Sequence, residues 1–121
     1  MSVTAVLSVP SIEPELPFWA ALGFSPSVTV PRGDVLGFAI LTDGCAEVML
    51  QSGDSLADDV PEVAPGLGQT LLYVHVPDLD AAATAVSGAP VAVERRTTFY
   101  GAHELGVRTP SGHVVLLSQH G

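Results

Sequence analysis

The strongest pattern in the chain is an apolar run that occurs twice. TAVLSVPSIE at residues 4–13 and LLYVHVPDLD at residues 71–80 each set an apolar strand before Val-Pro, a small helix-capping residue, an aliphatic residue and an acid. These segments are 67 residues apart, and VMLQS from Val48 and VLLSQ from Val115 are separated by the same 67 residues without a gap. A constant offset at two distant places marks an internal repeat, which divides the chain into two halves of about 55 residues.

Period and punctuation read each half as strand, helix and three strands. In the first, residues 3–9 form a strand, Ser11 caps a helix running to about Leu22, and Gly23 stops it, with Pro14 and Pro17 tolerated near its start. Strands are predicted at 27–30, 35–41 and 46–51. In the second, a strand at 70–76 leads to Asp78 as N-cap, a helix to about Val86, Gly88 as its stop, and strands at 91–94, 104–108 and 113–118. Residues 52–69 carry Asp54, Asp58, Asp59 and Glu62 among Gly and Pro and read as a linker, with room for one helical turn at SLADDV. The expectation is an α+β fold in a single domain: module one at about 1–51, the linker at about 52–69, and module two at about 70–121.

Read with period two, the strands that open and close each half separate into two faces. Val3, Ala5, Leu7 and Val9 with Val48 and Leu50, and Leu72, Val74 and Val76 with Val115 and Leu117, form a wholly apolar face that packs under the helices. The opposite face carries Thr4, Val6 and Ser8 with Glu47, Met49 and Gln51, and Leu71, Tyr73 and His75 with Val114, Leu116 and Ser118. Mostly apolar walls with a few placed polar groups suit a ligand cavity. A solvated sheet face would leave Met49, Leu71 and Leu116 in water.

Composition narrows the partners. No apolar run approaches the roughly 18 residues needed to span a bilayer, and Thr4, Ser8 and Pro10 break the N-terminal segment, so it reads as a strand and not as a signal peptide. A cytoplasmic protein is expected, in keeping with Cys45 as the single cysteine, read here as a small buried side chain. Thirteen carboxylates against four arginines give a net charge of −9, which repels phosphate backbones and anionic lipids and argues against nucleic-acid and membrane partners. The same field attracts cations, although it also serves simply to keep the surface soluble.

VLSVPSIEPELPFWAALGF at residues 6–24 and YGAHELGVRTPSGHVVLLSQ at residues 100–119 resemble the opening and closing segments of the glyoxalase/bleomycin-resistance/extradiol-dioxygenase (vicinal oxygen chelate) superfamily. With the repeat, the resemblance covers nearly the whole chain. It implies two βαβββ modules whose curled mixed sheets surround a cavity, often completed by a second subunit. The superfamily's enzymes take one His or Glu from the first and last strand of each module as ligands to a divalent metal. Those positions fall here at Thr4, Met49, Leu71 and Leu116, which offer neither imidazole nor carboxylate. A relocated set drawn from Glu47, His75, His103, Glu104 and His113 would need three or four groups to converge, and spacing alone shows no convergence.

Other catalytic signatures are lacking: the sequence has no Gly-rich phosphate loop and no Gly-x-Ser-x-Gly elbow, and no base is indicated beside Cys45. A Glu47 and His75 pair could act as acid and base only if brought within about 3 Å. Arg95 and Arg96 read as surface ion-pair partners. The expectation is a metal-free, cofactor-free binding protein of the bleomycin-resistance type that sequesters a cationic or planar aromatic natural product. An enzyme using the same cavity, as lyase, isomerase or dioxygenase, and an accessory domain that only dimerises are the alternatives. Candidate contacts are Trp19, Phe38, Phe99 and Tyr100 for stacking, Glu47 and Glu104 for charge, Ser8, Gln51, Tyr73, His75 and Ser118 for hydrogen bonds, and Met49 and Leu116 as walls. For each of these aromatics a place in the core fits at least as well, most of all for Trp19 on the first helix. A symmetric homodimer is expected because the strands at 3–9 and 35–41 carry no charge and, as sheet edges, would invite pairing.

Overall fold

The computed structural model describes residues 2–120. The described residues divide after Gln69 into two compact units.

In the first unit, β1 (Ala5–Val9) leads through a short 3-10 turn (Glu13–Glu15) into α1 (Leu16–Ala21), followed by β2 (Ser25–Arg32), β3 (Val35–Thr42) and β4 (Glu47–Ser52). The expected single helix capped by Ser11 is replaced by this turn and a six-residue helix, and the residue at the N-cap position is Ile12, with no side-chain cap. The cause is Pro14 and Pro17: each lacks a backbone N–H and each sits at the start of its own short segment. Gly23 ends α1 at φ 92°, a left-handed conformation that glycine adopts without a Cβ clash.

The strands order as β1-β4-β3-β2, with β1 and β4 parallel and the other pairs antiparallel. The strand expected at 35–41 is therefore not an edge: β3 lies between β4 and β2, hydrogen-bonded on both sides. Leu7, Val9, Ala39, Leu41, Val48 and Leu50 form the buried sheet face. Trp19 is buried with them, edge-on to Phe18 and Phe24 at centroid distances of 5.4 and 5.6 Å, and its indole N–H donates to the buried Glu15 carboxylate at 3.2 Å. Trp19 is thus a core residue.

Cys45 is exposed rather than buried. It stands in the β3–β4 turn, where Asp43 Oδ1 accepts the backbone N–H groups of Cys45 and Ala46 at 2.9 and 2.8 Å. Those two bonds hold the Asp43 carboxyl below its ordinary range and fix a tight turn with Cys45 outside it.

The segment expected as a linker is more ordered than one helical turn. Ser52 caps α2 (Gly53–Asp59) by accepting from Ser55 N–H, and a second 3-10 turn follows at Ala64–Gly66. Arg32 pairs with Asp58, and Gln51 donates to Ser55 Oγ and Asp59 Oδ2 at 3.0 and 3.3 Å.

The second unit repeats the plan with β5 (Leu71–His75), α3 (Leu79–Ala85), β6 (Val91–Thr97), β7 (Ala102–Arg108) and β8 (Val114–His120), in the order β5-β8-β7-β6. Asp78 caps α3 as expected, accepting from Ala81 N–H, and the helix runs to Ala85 with Val86 as its C-cap, two residues before Gly88. The repeat extends to register: Ala5 opposes Val48 and Leu72 opposes Val115, the same pair displaced by 67 residues. The architecture is α+β, two βαβββ modules, each with an open four-stranded mixed sheet. No described helix is long and apolar enough to cross a membrane.

Gly106 on β7 leaves no room for a side chain, since a Cβ there would lie 2.7 Å from Val93 Cβ. Gly106→Ala should therefore destabilise the protein by about 1–3 kcal/mol through overpacking. Denaturant unfolding measures this, and Val93→Ala on the same background should recover part of the loss.

Candidate ligand-binding site

Alternation along β5 turns Leu71, Tyr73 and His75 to one face of the second sheet. The register of β8 and β7 adds Leu116, Ser118 and His120, with Glu104 opposite Ser118, and Arg96 on β6 opposite Glu104. This is the face predicted to be mixed in character.

Its centre is Glu104, a carboxylate with no exposed surface. Oε1 accepts from Arg96 Nε and Nη2 at 3.1 and 3.0 Å. Oε2 accepts from Tyr73 Oη at 3.0 Å and Ser118 Oγ at 3.1 Å, with Tyr100 Oη at 3.5 Å. Burial alone would raise the Glu104 carboxyl, but the bonds from Tyr73, Arg96 and Ser118 and the Arg96 charge outweigh it and leave the group below its ordinary range. It is therefore ionised, neutralised by one guanidinium, and saturated with donors. For Tyr73, the bond with Ser118 lowers the phenol, while burial, bonds with Glu104 and Tyr100 and the Glu104 charge raise it further, so the net shift is upward.

Above this network lie flat rings. Tyr73 meets His75 edge-on at 5.0 Å and His120 at 6.4 Å, His75 and His120 are 5.0 Å apart, and Tyr100 stacks on His120 at 6.2 Å and 26°. Tyr100 reaches this place from the β6–β7 turn, which Gly101 closes at φ 87° by donating its N–H to Thr98 O. Phe99, beside Tyr100 at 5.1 Å, is fully exposed.

The first unit shows what the same rows carry without this chemistry. There Val6 opposes Met49, Ser8 opposes Gln51 and Gln51 opposes Phe38, the counterparts of Tyr73–Leu116, His75–Ser118 and Ser118–Glu104. Phe38 and Met49 are half-buried, Val6, Val28 and Val30 are exposed, and the Gln51 amide is engaged by α2. Glu47, at the start of β4, is exposed.

The candidate residues thus fall into two sets. Tyr73, His75, Tyr100, Glu104, Leu116 and Ser118 come together in the second unit; Ser8, Phe38, Met49 and Gln51 share a face of the first. Glu104 serves as the buried organiser of the ring cluster, with its charge already matched. His103 bonds to Thr97 Oγ1 and His113 to Thr70, so neither joins the cluster. Arg95 pairs with Asp80 and Arg96 with Glu104. Of the enzymes' ligand positions, Leu71 is exposed and Leu116 buried, and Thr4, Met49, Leu71 and Leu116 do not fit a metal. Among the described residues, no group of three or more His, Cys, Asp and Glu is placed to hold one. His120 was missed because the last strand was ended at Ser118; two more residues of period-two alternation would have placed it beside Tyr73.

The paired βαβββ modules define the glyoxalase/bleomycin-resistance fold, and solved structures agree. TioX from Micromonospora sp. ML1 matches with a TM-score of 0.73 at 17% identity over 100% of this chain and 97% of that one. A bleomycin-binding protein complexed with bleomycin matches at 0.67 and 15% identity over 100% and 99%. A glyoxalase/bleomycin resistance protein/dioxygenase family enzyme from Burkholderia phytofirmans PsJN matches at 0.73 and 17% identity over 96% and 95%. No protein-family model and no curated protein matches the sequence. At these identities the likeness is one of fold.

Because the folded-state Glu104 carboxyl lies below its unfolded value, its stabilisation is present above the unfolded pKa and is lost as pH falls through the folded one. Glu104→Gln should lower the melting temperature at neutral pH, and the gap from wild type should narrow as pH falls from about 5 towards about 2. A gap that stays constant over that range would contradict the assignment of an ionised, stabilising Glu104.

Proposed function

We propose that the protein binds and sequesters a planar aromatic natural product on the ring-bearing face of its second unit. The observation that carries this reading is the set of rings from Tyr73, His75, Tyr100 and His120 held over the buried Glu104 network. Aromatic side chains gain about 0.5–1.5 kcal/mol per pair beyond area burial when offset-stacked or edge-on, which suits a flat conjugated ligand. A cationic group on that ligand would be drawn by the net charge of −9, and would meet ring faces rather than a free carboxylate, since Arg96 already neutralises Glu104. The bleomycin complex of one structural neighbour supports a small-molecule occupant on this fold.

We infer further that the protein is cytoplasmic and acts as a symmetric homodimer. β1 supports the dimer, being an uncharged edge strand, as do the exposed Val6, Val28 and Val30 on the open face of the first sheet. The other edge, β2, carries Pro26, Pro31 and Arg32, residues that discourage strand addition.

Titration with bleomycin and a panel of planar aromatic antibiotics should give at least one dissociation constant below about 100 μM, weakened about tenfold or more by Tyr100→Ala. Uniform absence of binding at that level would reject the reading. Sedimentation at micromolar concentration should show a species of twice the 12.4 kDa chain mass, with an interface of more than about 1,200 Å². A 12.4 kDa species alone would reject the dimer.

A further inference from the structure

His75 and His120 stand on the adjacent parallel strands β5 and β8, exposed on one face, with ring centres 5.0 Å apart and planes inclined by 37°. Two imidazoles that bind one metal ion at about 2.0–2.1 Å bring their ring centres roughly 4.5–5 Å apart. The pair already has that spacing. His75 makes no side-chain hydrogen bond among the described residues, so its ring nitrogens are uncommitted.

The hydrogen-bond chain beneath them sets the state of His120. Tyr73 Oη lies 3.0 Å from Glu104 Oε2, 2.8 Å from Ser118 Oγ and 3.0 Å from His120 Nε2, and it has a single hydrogen to give. The ionised carboxylate can only accept. Tyr73 therefore donates inward, either directly to Glu104 or to Ser118, which in turn donates to Glu104. In both cases the phenol oxygen turns a lone pair to His120 and accepts from Nε2–H. Neutral His120 then carries its proton on Nε2 and leaves Nδ1 as a free lone pair. Metal-binding histidines are held in this way, one nitrogen on the metal and the other donating to a fixed acceptor that orients the ring and raises its basicity.

We propose that His75 and His120 form a two-imidazole site for a divalent transition-metal cation of the zinc, copper or nickel type, with His120 binding through Nδ1. Imidazole suits these ions, and the protein's net charge of −9 favours any cation. No third His, Cys, Asp or Glu among the described residues completes the set, so the remaining positions face outward for water or a chelating small molecule. The site is distinct from Thr4, Met49, Leu71 and Leu116, and it does not depend on the organic occupant proposed above.

The test is calorimetric titration of tag-free, chelator-treated protein with ZnCl2, NiCl2 and CuCl2, together with paramagnetic resonance of the copper form. One ion per chain is expected with a dissociation constant of about 1–50 μM, and copper should show coupling to two imidazole nitrogens. His75→Phe and His120→Phe keep a ring at exposed positions and should each weaken binding at least tenfold. Tyr73→Phe, which removes the acceptor from Nε2–H, should weaken it by about tenfold, while His103→Ala should leave it unchanged. Circular dichroism confirms that each variant is folded. Absence of binding up to about 1 mM for all three ions would overturn the proposal. So would binding retained in both Phe variants, which would mean an adventitious ion only. Antibiotic titration of metal-free protein reads the organic occupant separately, so either result can fail without the other.

Discussion

The parallel pairing of β5 with β8 is the constraint on which the candidate site depends. Leu71 opposes Val114 and His75 opposes Ser118, so strands separated by most of the second unit are locked side by side. Closing so long a loop has an entropic cost that hairpin pairing does not, and the buried side of the same strands offsets it through Val115 and Leu117. Only in this register do Tyr73 and His75 fall on the same face as Ser118 and His120. A slip by one residue would turn Tyr73 into the core and Val74 outward.

The first unit shows that the polar network is not a requirement of the fold. Its β1–β4 pairing has the same register, yet Val6 stands where the second unit has Tyr73, and Phe38 where it has Glu104. Glu104 is buried while Arg96 is about half exposed, and the Phe38 row of the first unit does without either charge. What the network does provide is direction. It fixes the tyrosine hydroxyl, the serine hydroxyl and one imidazole nitrogen in a single hydrogen-bond pattern, which hydrophobic packing cannot do.

Much of this was legible in the sequence because it is periodic. The 67-residue offset exposed the repeat, alternation separated the two faces, and Asp78 announced its helix. The departures have local physical causes. Two prolines broke the first helix and displaced Ser11 from its cap, and Asp43 drew the β3–β4 turn tight enough to leave Cys45 outside. Strand order also went unread at β3: an uncharged strand looks the same in sequence whether it is an edge or a centre. The role of Glu104 was hidden for another reason. Spacing assigns a residue to a face, but not whether its neighbours close over it, and Tyr73 and Arg96 do so here.

Charge and contact are thereby separated on this molecule. The −9 net charge acts at a distance, as a sum over carboxylates such as Asp54, Glu62 and Glu94 that are exposed. At the candidate site the carboxylate is matched by Arg96 and buried, which leaves tyrosine and imidazole rings as the exposed surface. For the ligand proposed above, long-range attraction would govern how often a cationic molecule arrives and would weaken with salt, whereas ring contacts would govern how long it stays. Selection by such a face would rest on shape and planarity, and the buried glutamate contributes by fixing Tyr73, Ser118 and, through Tyr73, the His120 ring.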